Sequence, residues 1–338
     1  MKTFRKILSV VLVTVILMLP MTANAVILSG ECGADYVHPN ILGDIDWTLD
    51  TETGVLSIVG EGYMKQYFVF NSNRDDDLPW YNNVSDIKSL VISDGVKDIG
   101  SSTCFWAENL TEVIMPDSVE SIGYCTFYNC SSLESIEFSK NIKAFEKYTF
   151  QGCSSLKSVD IPDGVTMISD GCFQGCSSLE SVNFSENITH ITDLAFSNCS
   201  SLENLVLPDK VEWLGFYSFQ NCSSVKTVTI GENLEYIGQG AFLNCTGITD
   251  VYYAGRKEQW EQIEMLDSNE CLLNANIHFA KGGEEVDTPE EPDTPDNPAE
   301  NCSCNCHAGG ITNFFWKIIN FFQKLFGKNK VCECGVKH

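Results

Sequence analysis

LKSVDIPDGVTMISDGCFQGCSS, residues 156–178, is one turn of a repeat, and its reading decides the fold. Leu156, Val159 and Ile161 follow an L-x-x-L-x-L spacing, in which alternate side chains of a short strand point into a core. Pro162-Asp163-Gly164 ends that strand, because proline cannot donate to a ladder and Asp-Gly favours a turn. Val165 and Ile168 bury the returning segment, Phe173 fills the interior, and Cys176-Ser177-Ser178 turns into the next strand.

The same spacing extends in both directions. Cys130, Cys153, Cys176, Cys199, Cys222 and Cys245 are each 23 residues apart, and a phenylalanine stands three residues before each, from Phe127 to Phe242. Ile99, Ile122, Phe145, Ile168, Ile191, Leu214 and Ile237 form another column. Val113, Ile136, Val159, Val182, Leu205 and Val228 form a strand column. Several columns held in register without an insertion mean a solenoid, in which each unit contacts its neighbours and stacking creates the core. Cys104 in the phenylalanine column and Ala107 in the cysteine column mark a terminal unit meeting a cap.

These residues resemble the BspA-like class of leucine-rich repeats over residues 88–253. Asp46-Trp47-Thr48-Leu49, Gly54-Val55-Leu56-Ser57-Ile58 and Pro79-Trp80-Tyr81 are similar to the lead-in of that class. Val251-Tyr252-Tyr253, Gln259-Trp260 and Ile277-His278-Phe279 are similar to its exit. The resemblance implies a β-rich solenoid of the α/β leucine-rich repeat class. It would be a right-handed stack of 23-residue units with one parallel sheet, a small β-rich N-terminal cap and a C-terminal amphipathic helix. It also implies a secreted or surface-exposed protein with a role in adhesion or partner binding, and it names no ligand.

The expected boundaries are a signal peptide at 1–25, the cap at 26–87, the solenoid at 88–253 and a C-terminal cap at 254–281. An acidic, proline-rich linker at 282–301 and a Cys/His-rich amphipathic tail at 302–338 follow. Lys2, Arg5 and Lys6 before the apolar Ile7 to Leu19, with Ala23-Asn24-Ala25 as cleavage site, make the secretory signal. Pro289, Pro292, Pro295 and Pro298 among acids cannot build a core and make an extended linker.

Sixteen cysteines in an exported chain suggest disulfides, but the column cysteines read as free thiols packed as small hydrophobes. In a regular stack their side chains would point the same way rather than toward one another. Cys125 and Cys172 read as core, and Cys32 and Cys271 lie in opposite caps. The tail is different. Cys302, Cys304, Cys306, His307, Cys332, Cys334 and His338 flank an apolar stripe of Ile311, Phe314, Phe315, Ile318, Phe322, Leu325 and Phe326 at helical spacing. Three readings stay open: a zinc site, disulfides, and a stapled appendage without chemistry. C-x-C spacing is unlike the usual zinc knuckle, and a helix of ~16 residues would hold the half-sites ~24 Å apart. The helix itself reads as an interfacial contact for a membrane surface or cell-wall polymer.

Removing the three signal cations takes the net charge from −25 to −28, which disfavours nucleic acid. No phosphate loop, G-x-S-x-G or H-E-x-x-H is present, and Arg74-Asp75-Asp76-Asp77 lacks calcium-loop spacing. The chain therefore reads as non-enzymatic. His190 reads as a solvated repeat residue, and the Asn-x-Ser matches, such as Asn198-Cys199-Ser200, as by-products of the repeat.

Outward strand positions are where a solenoid binds. One column is Glu112, Ser135, Ser158, Ser181, Asn204, Thr227 and Asp250; its companion is Ile114, Glu137, Asp160, Asn183, Val206, Thr229 and Tyr252. Glu112 and the companion column are the candidate binding residues for an extracellular protein or glycan. The alternatives are plain solvated strand residues and, for the whole chain, a structural envelope or matrix component cross-linked through its tail.

Overall fold

The computed structural model describes residues 26–33, 44–67 and 78–280. The expected signal peptide, the acidic loop at 74–77, the linker and the whole Cys/His-rich tail lie outside those residues.

A β-solenoid with parallel ladders accounts for residues 89–280. Its front begins in the cap: Ile27–Glu31, Asp44–Asp50 and Val55–Glu61 pair antiparallel, and Val55–Glu61 then pairs parallel with Ser89–Ile92, which pairs with Glu112–Ile114. The front resumes as Ser158–Asp160 with Ser181–Asn183, and again as Asn204–Val206, Thr227–Ile230, Asp250–Tyr253 and Asn276–Phe279. Register is the repeat itself, Val159 opposite Val182 and Val228 opposite Val251. Ser135-Ile136-Glu137 forms no strand, so the front ladder is interrupted there.

A second parallel ladder adds to the one expected. Two-residue strands on the returning segment, Met167–Ile168, His190–Ile191, Trp213–Leu214, Tyr236–Ile237 and Glu264–Met265, pair in order, after a first set from Asp98–Ile99 to Ala144–Phe145. The arc between the ladders is also tied unit to unit. Tyr148, Phe150 and Gly152 donate their amides to the carbonyls of Asp170, Cys172 and Gln174 at 2.7–2.9 Å. Backbone donors on all these sides therefore find partners in the next turn, as a buried backbone requires.

Between the ladders lies a single core. Phe127, Phe150, Phe173, Phe196, Phe219 and Phe242 stack ring on ring, with centroids 5.2–5.5 Å apart. Each ring is wholly or almost wholly buried, and such burial contributes about 1.5–3 kcal/mol per side chain. The cysteine column is buried and free of disulfides, as are Cys125 and Cys172. The thiols are not inert filler, however. Cys153, Cys176, Cys199, Cys222 and Cys245 donate to the carbonyls of Phe127, Phe150, Phe173, Phe196 and Phe219 at 3.0–3.2 Å. Cys130 closes the series on Cys104, whose carbonyl takes the phenylalanine's place at the terminal unit.

The residue before each column cysteine is left-handed: Asn129, Gly152, Gly175, Asn198, Asn221 and Asn244 have φ between 56° and 76°. Asparagine and glycine tolerate that region best, which is why Asn-Cys-Ser recurs. The asparagines also bridge units, Asn221 donating to Asn198 and Asn244 to Asn221 at 2.8 Å.

The cap is fastened at one buried carboxylate. Asp98 accepts from the Met64 amide and from Gln66 Nε2, both at 2.7 Å, while Gln66 Oε1 accepts from Ser101 N and Oγ. Trp80 packs 5.0 Å from Trp47 and donates to the Thr103 carbonyl at 2.7 Å.

Candidate binding faces

The outward columns of the front ladder sit where strand alternation puts them. Glu112, Glu137, Asp160 and Asn183 are exposed; Ile114, Val206 and Thr229 are half-buried. Ser158, Ser181 and Asn204 are exposed beside them. Side chains bridge successive turns, Asn183 to Asp160 and Thr227 to Asn204. Tyr252 needs correction as an exposed contact residue. It holds the outward register opposite Thr229, yet it is only 8 % exposed. The strand Asn276–Phe279 adds beyond it and brings His278 over its ring, centroids 4.7 Å apart and nearly parallel.

That last turn carries a tight polar cluster. His278 Nε2 lies 2.8 Å from Asp250 Oδ1, and Thr249 Oγ1 donates to Asp250 Oδ2 at 2.8 Å. The hydrogen bond from His278, then that from Thr249, holds the Asp250 carboxyl below the usual carboxylate range. The hydroxyl bonds the carboxylate and not the imidazole, so the group lacks the nucleophile–base–orienter order that covalent catalysis uses. Among the described residues, no group of three or more His, Cys, Asp or Glu side chains is placed to hold a metal ion. The seven expected tail ligands, from Cys302 to His338, lie outside them. No helix of the described residues is long and apolar enough to cross a membrane.

The return ladder presents a second row, and the sequence reading missed it. Met167, His190, Trp213, Tyr236 and Glu264 stand side by side in register. Met167 and Trp213 are exposed, and Trp213 stacks on Tyr236 with centroids 3.7 Å apart and planes 14° from parallel. His190 does sit at the surface, half-buried, with Nδ1 2.9 Å from Thr189 Oγ1. The signal was present for four of the five: Met167, His190, Trp213 and Tyr236 immediately precede the Ile168, Ile191, Leu214, Ile237 column at the same period of 23.

The model for the BspA type leucine rich repeat region matches residues 80–202 and 147–264, in six copies, which together span more than half of the chain. This chain belongs to the BspA-type leucine-rich repeat family. A leucine-rich repeat fold is also what one solved structure shares with it. A leucine-rich repeat protein from Bacteroides ovatus is 20% identical over 74% of this chain and 70% of its own, with a TM-score of 0.52. A leucine rich cell surface protein from Faecalibacterium prausnitzii is 20% identical over 54% of this chain and 64% of its own, with a TM-score of 0.33. A leucine rich repeat protein from T. pallidum is 18% identical over 60% of this chain and 86% of its own, with a TM-score of 0.38. A comparison with curated proteins finds no match.

Within a BspA-type repeat the leucine, isoleucine, phenylalanine and cysteine columns are consumed by the core. In this stack the positions left outside the core form two rows, front and return.

Proposed function

We propose that this protein is an exported, non-catalytic binding module that meets a protein or glycan ligand outside the cell through its front face, in adhesion or cell-surface contact. The observation that carries this reading is the exposed polar row of Glu137, Asp160 and Asn183, the last two in register across adjacent strands, with exposed Glu112 in the neighbouring column of the same face. Family membership and the secretory character of residues 1–25 support it. A rigid row spanning several strands suits a broad ligand, because its geometry is set before binding and little ordering entropy is lost.

The test is a binding screen of the chain from residue 26 onward against immobilised extracellular proteins and glycans, followed by the E137K/D160K double reversal. We expect a saturable partner whose affinity falls at least tenfold in the reversal variant, with the thermal melt unchanged. Absence of any saturable partner overturns the reading. Unchanged affinity of the variant overturns the front face as the site.

A further inference from the structure

The return row ends in a cavity of about 570 Å3, to whose lining the front ladder contributes only Tyr253, at the end of its strand. Trp213 and Tyr236 form one wall, and Glu232, Glu235, Glu258 and Glu264 line it together with the amides of Gln259 and Gln262. No lysine or arginine lines it. The short helix Lys257–Trp260 closes one side and supplies Glu258, while its Lys257 faces Glu261 at 3.9 Å. The salt bridges of the described residues engage none of Glu235, Glu258 and Glu264.

The arrangement of the row is specific. Trp213 and Tyr236 cover one another's facing surfaces, so the ring face of Tyr236 that remains is the one toward the next strand. That next strand places Glu264 directly in register, one strand spacing of ~4.8 Å away. Desolvation, then the charges of Glu264 and Asp193, hold the Tyr236 hydroxyl above its ordinary range.

We propose that this cavity is a recognition site for the arginine side chain of a basic peptide segment, the guanidinium continuing the Trp213–Tyr236 stack while its N–H groups meet Glu264 and Glu235. A planar cation suits the position better than a neutral sugar. Guanidinium groups stack on aromatic faces and bind carboxylates through two parallel hydrogen bonds, and Glu235, Glu258 and Glu264, which no salt bridge of the described residues engages, offer such carboxylates here. Tyr236 is half-buried and Trp213, which backs it, is 39 % exposed, so both rings of the stack reach the surface in the free protein.

The probe is the peptide Ac-Gly-Arg-Gly-Arg-Gly-amide, titrated into the full chain by calorimetry, with the citrulline peptide as its neutral isostere. The expected result is saturable binding of the arginine peptide that weakens with salt, and none of the citrulline peptide. W213L and the E235Q/E264Q pair should each weaken binding by about fivefold or more. The E108Q/D163N pair, which removes two exposed acids elsewhere, should leave it unchanged, separating the site from the general pull of an acidic protein. Because these side chains are at the surface, a retained thermal melt verifies that each variant folds. Wild-type affinity in W213L or in E235Q/E264Q overturns the proposal. Equal binding of the citrulline peptide, or binding of neutral oligosaccharides at Trp213 without the arginine peptide, overturns it too. Neither outcome bears on the front face, which E137K/D160K tests separately.

Discussion

The thiol of Cys176 donates to the carbonyl oxygen of Phe150 at 3.2 Å, and that same oxygen already accepts the amide of Cys153 at 3.2 Å. One bond closes the turn within a unit; the other joins the next unit to it. Repeated along the column, the pair explains why a small donor with a polarizable atom stands at each rung. An alanine would leave the space and lose the bond, and a larger aliphatic would lose the bond alone.

C176A should therefore lower stability by about 1–3 kcal/mol, combining a small cavity with a lost buried hydrogen bond. Urea unfolding midpoints at fixed pH measure it. An unchanged midpoint would show that the sulfur only fills space.

The column thiols should also be chemically silent in the native protein. Burial pushes Cys153 up to about 12 and holds Cys176 and Cys199 well above the ordinary thiol range. All three are inaccessible, so neither contact with reagent nor thiolate is present near neutral pH. Iodoacetamide followed by peptide mass spectrometry should find all six column cysteines unmodified in buffer and all six modified in guanidinium chloride. Alkylation in the native state, or a disulfide between column members, contradicts the packing.

Phe173 lies between Phe150 and Phe196, 5.2 Å from each ring and within 8° of parallel to both. F173A removes the middle of this stack and should cost about 3–5 kcal/mol. Differential scanning calorimetry would register the loss as a lower melting temperature. A shift no larger than that of an exposed-site substitution such as D163N would mean that the stack contributes little.

Asp98 gives the fold a pH dependence of defined sign. Burial raises its carboxyl from 3.8 to about 6, although the bonds from Met64 and Gln66 pull the other way. Below pH ~4 both folded and unfolded chains hold the proton, and between ~4 and ~6 only the folded chain holds it. Stability from this group therefore falls as pH rises across that window, by about 3 kcal/mol at most. D98N keeps an acceptor for the Met64 amide and does not titrate. Denaturant midpoints compared at pH 4 and pH 7 should show a smaller drop for D98N than for the wild type. An equal drop would place the pH dependence elsewhere.

Much of the core was legible from spacing. Phe173, Cys176, Ile168 and Val159 each recur at the same period, and only one environment per turn satisfies every member of a column. The outward positions of Asp160 and Asn183 followed from alternation along the strand. Less legible were the features that depend on geometry between turns. The Asn198-Cys199-Ser200 match read as a by-product of the repeat, and the left-handed φ of Asn198 is its cause. The return row was overlooked because a two-residue strand carries no alternation to read.

The sequence by itself determined the period, the core columns, the free state of the column cysteines and the face on which polar residues would gather. It could do so because each requirement recurs every 23 residues and is written once per turn. Tertiary structure alone decided that His278 covers Tyr252, that each thiol meets a carbonyl one turn back, and that Glu264 stands beside Tyr236. The last pair is 28 residues apart, since the helix Lys257–Trp260 interrupts the period before the chain rejoins the ladder. Spacing alone cannot tell which strand resumes after such an insertion. Backbone pairing can, because a strand left without its partner would bury unsatisfied amides and carbonyls.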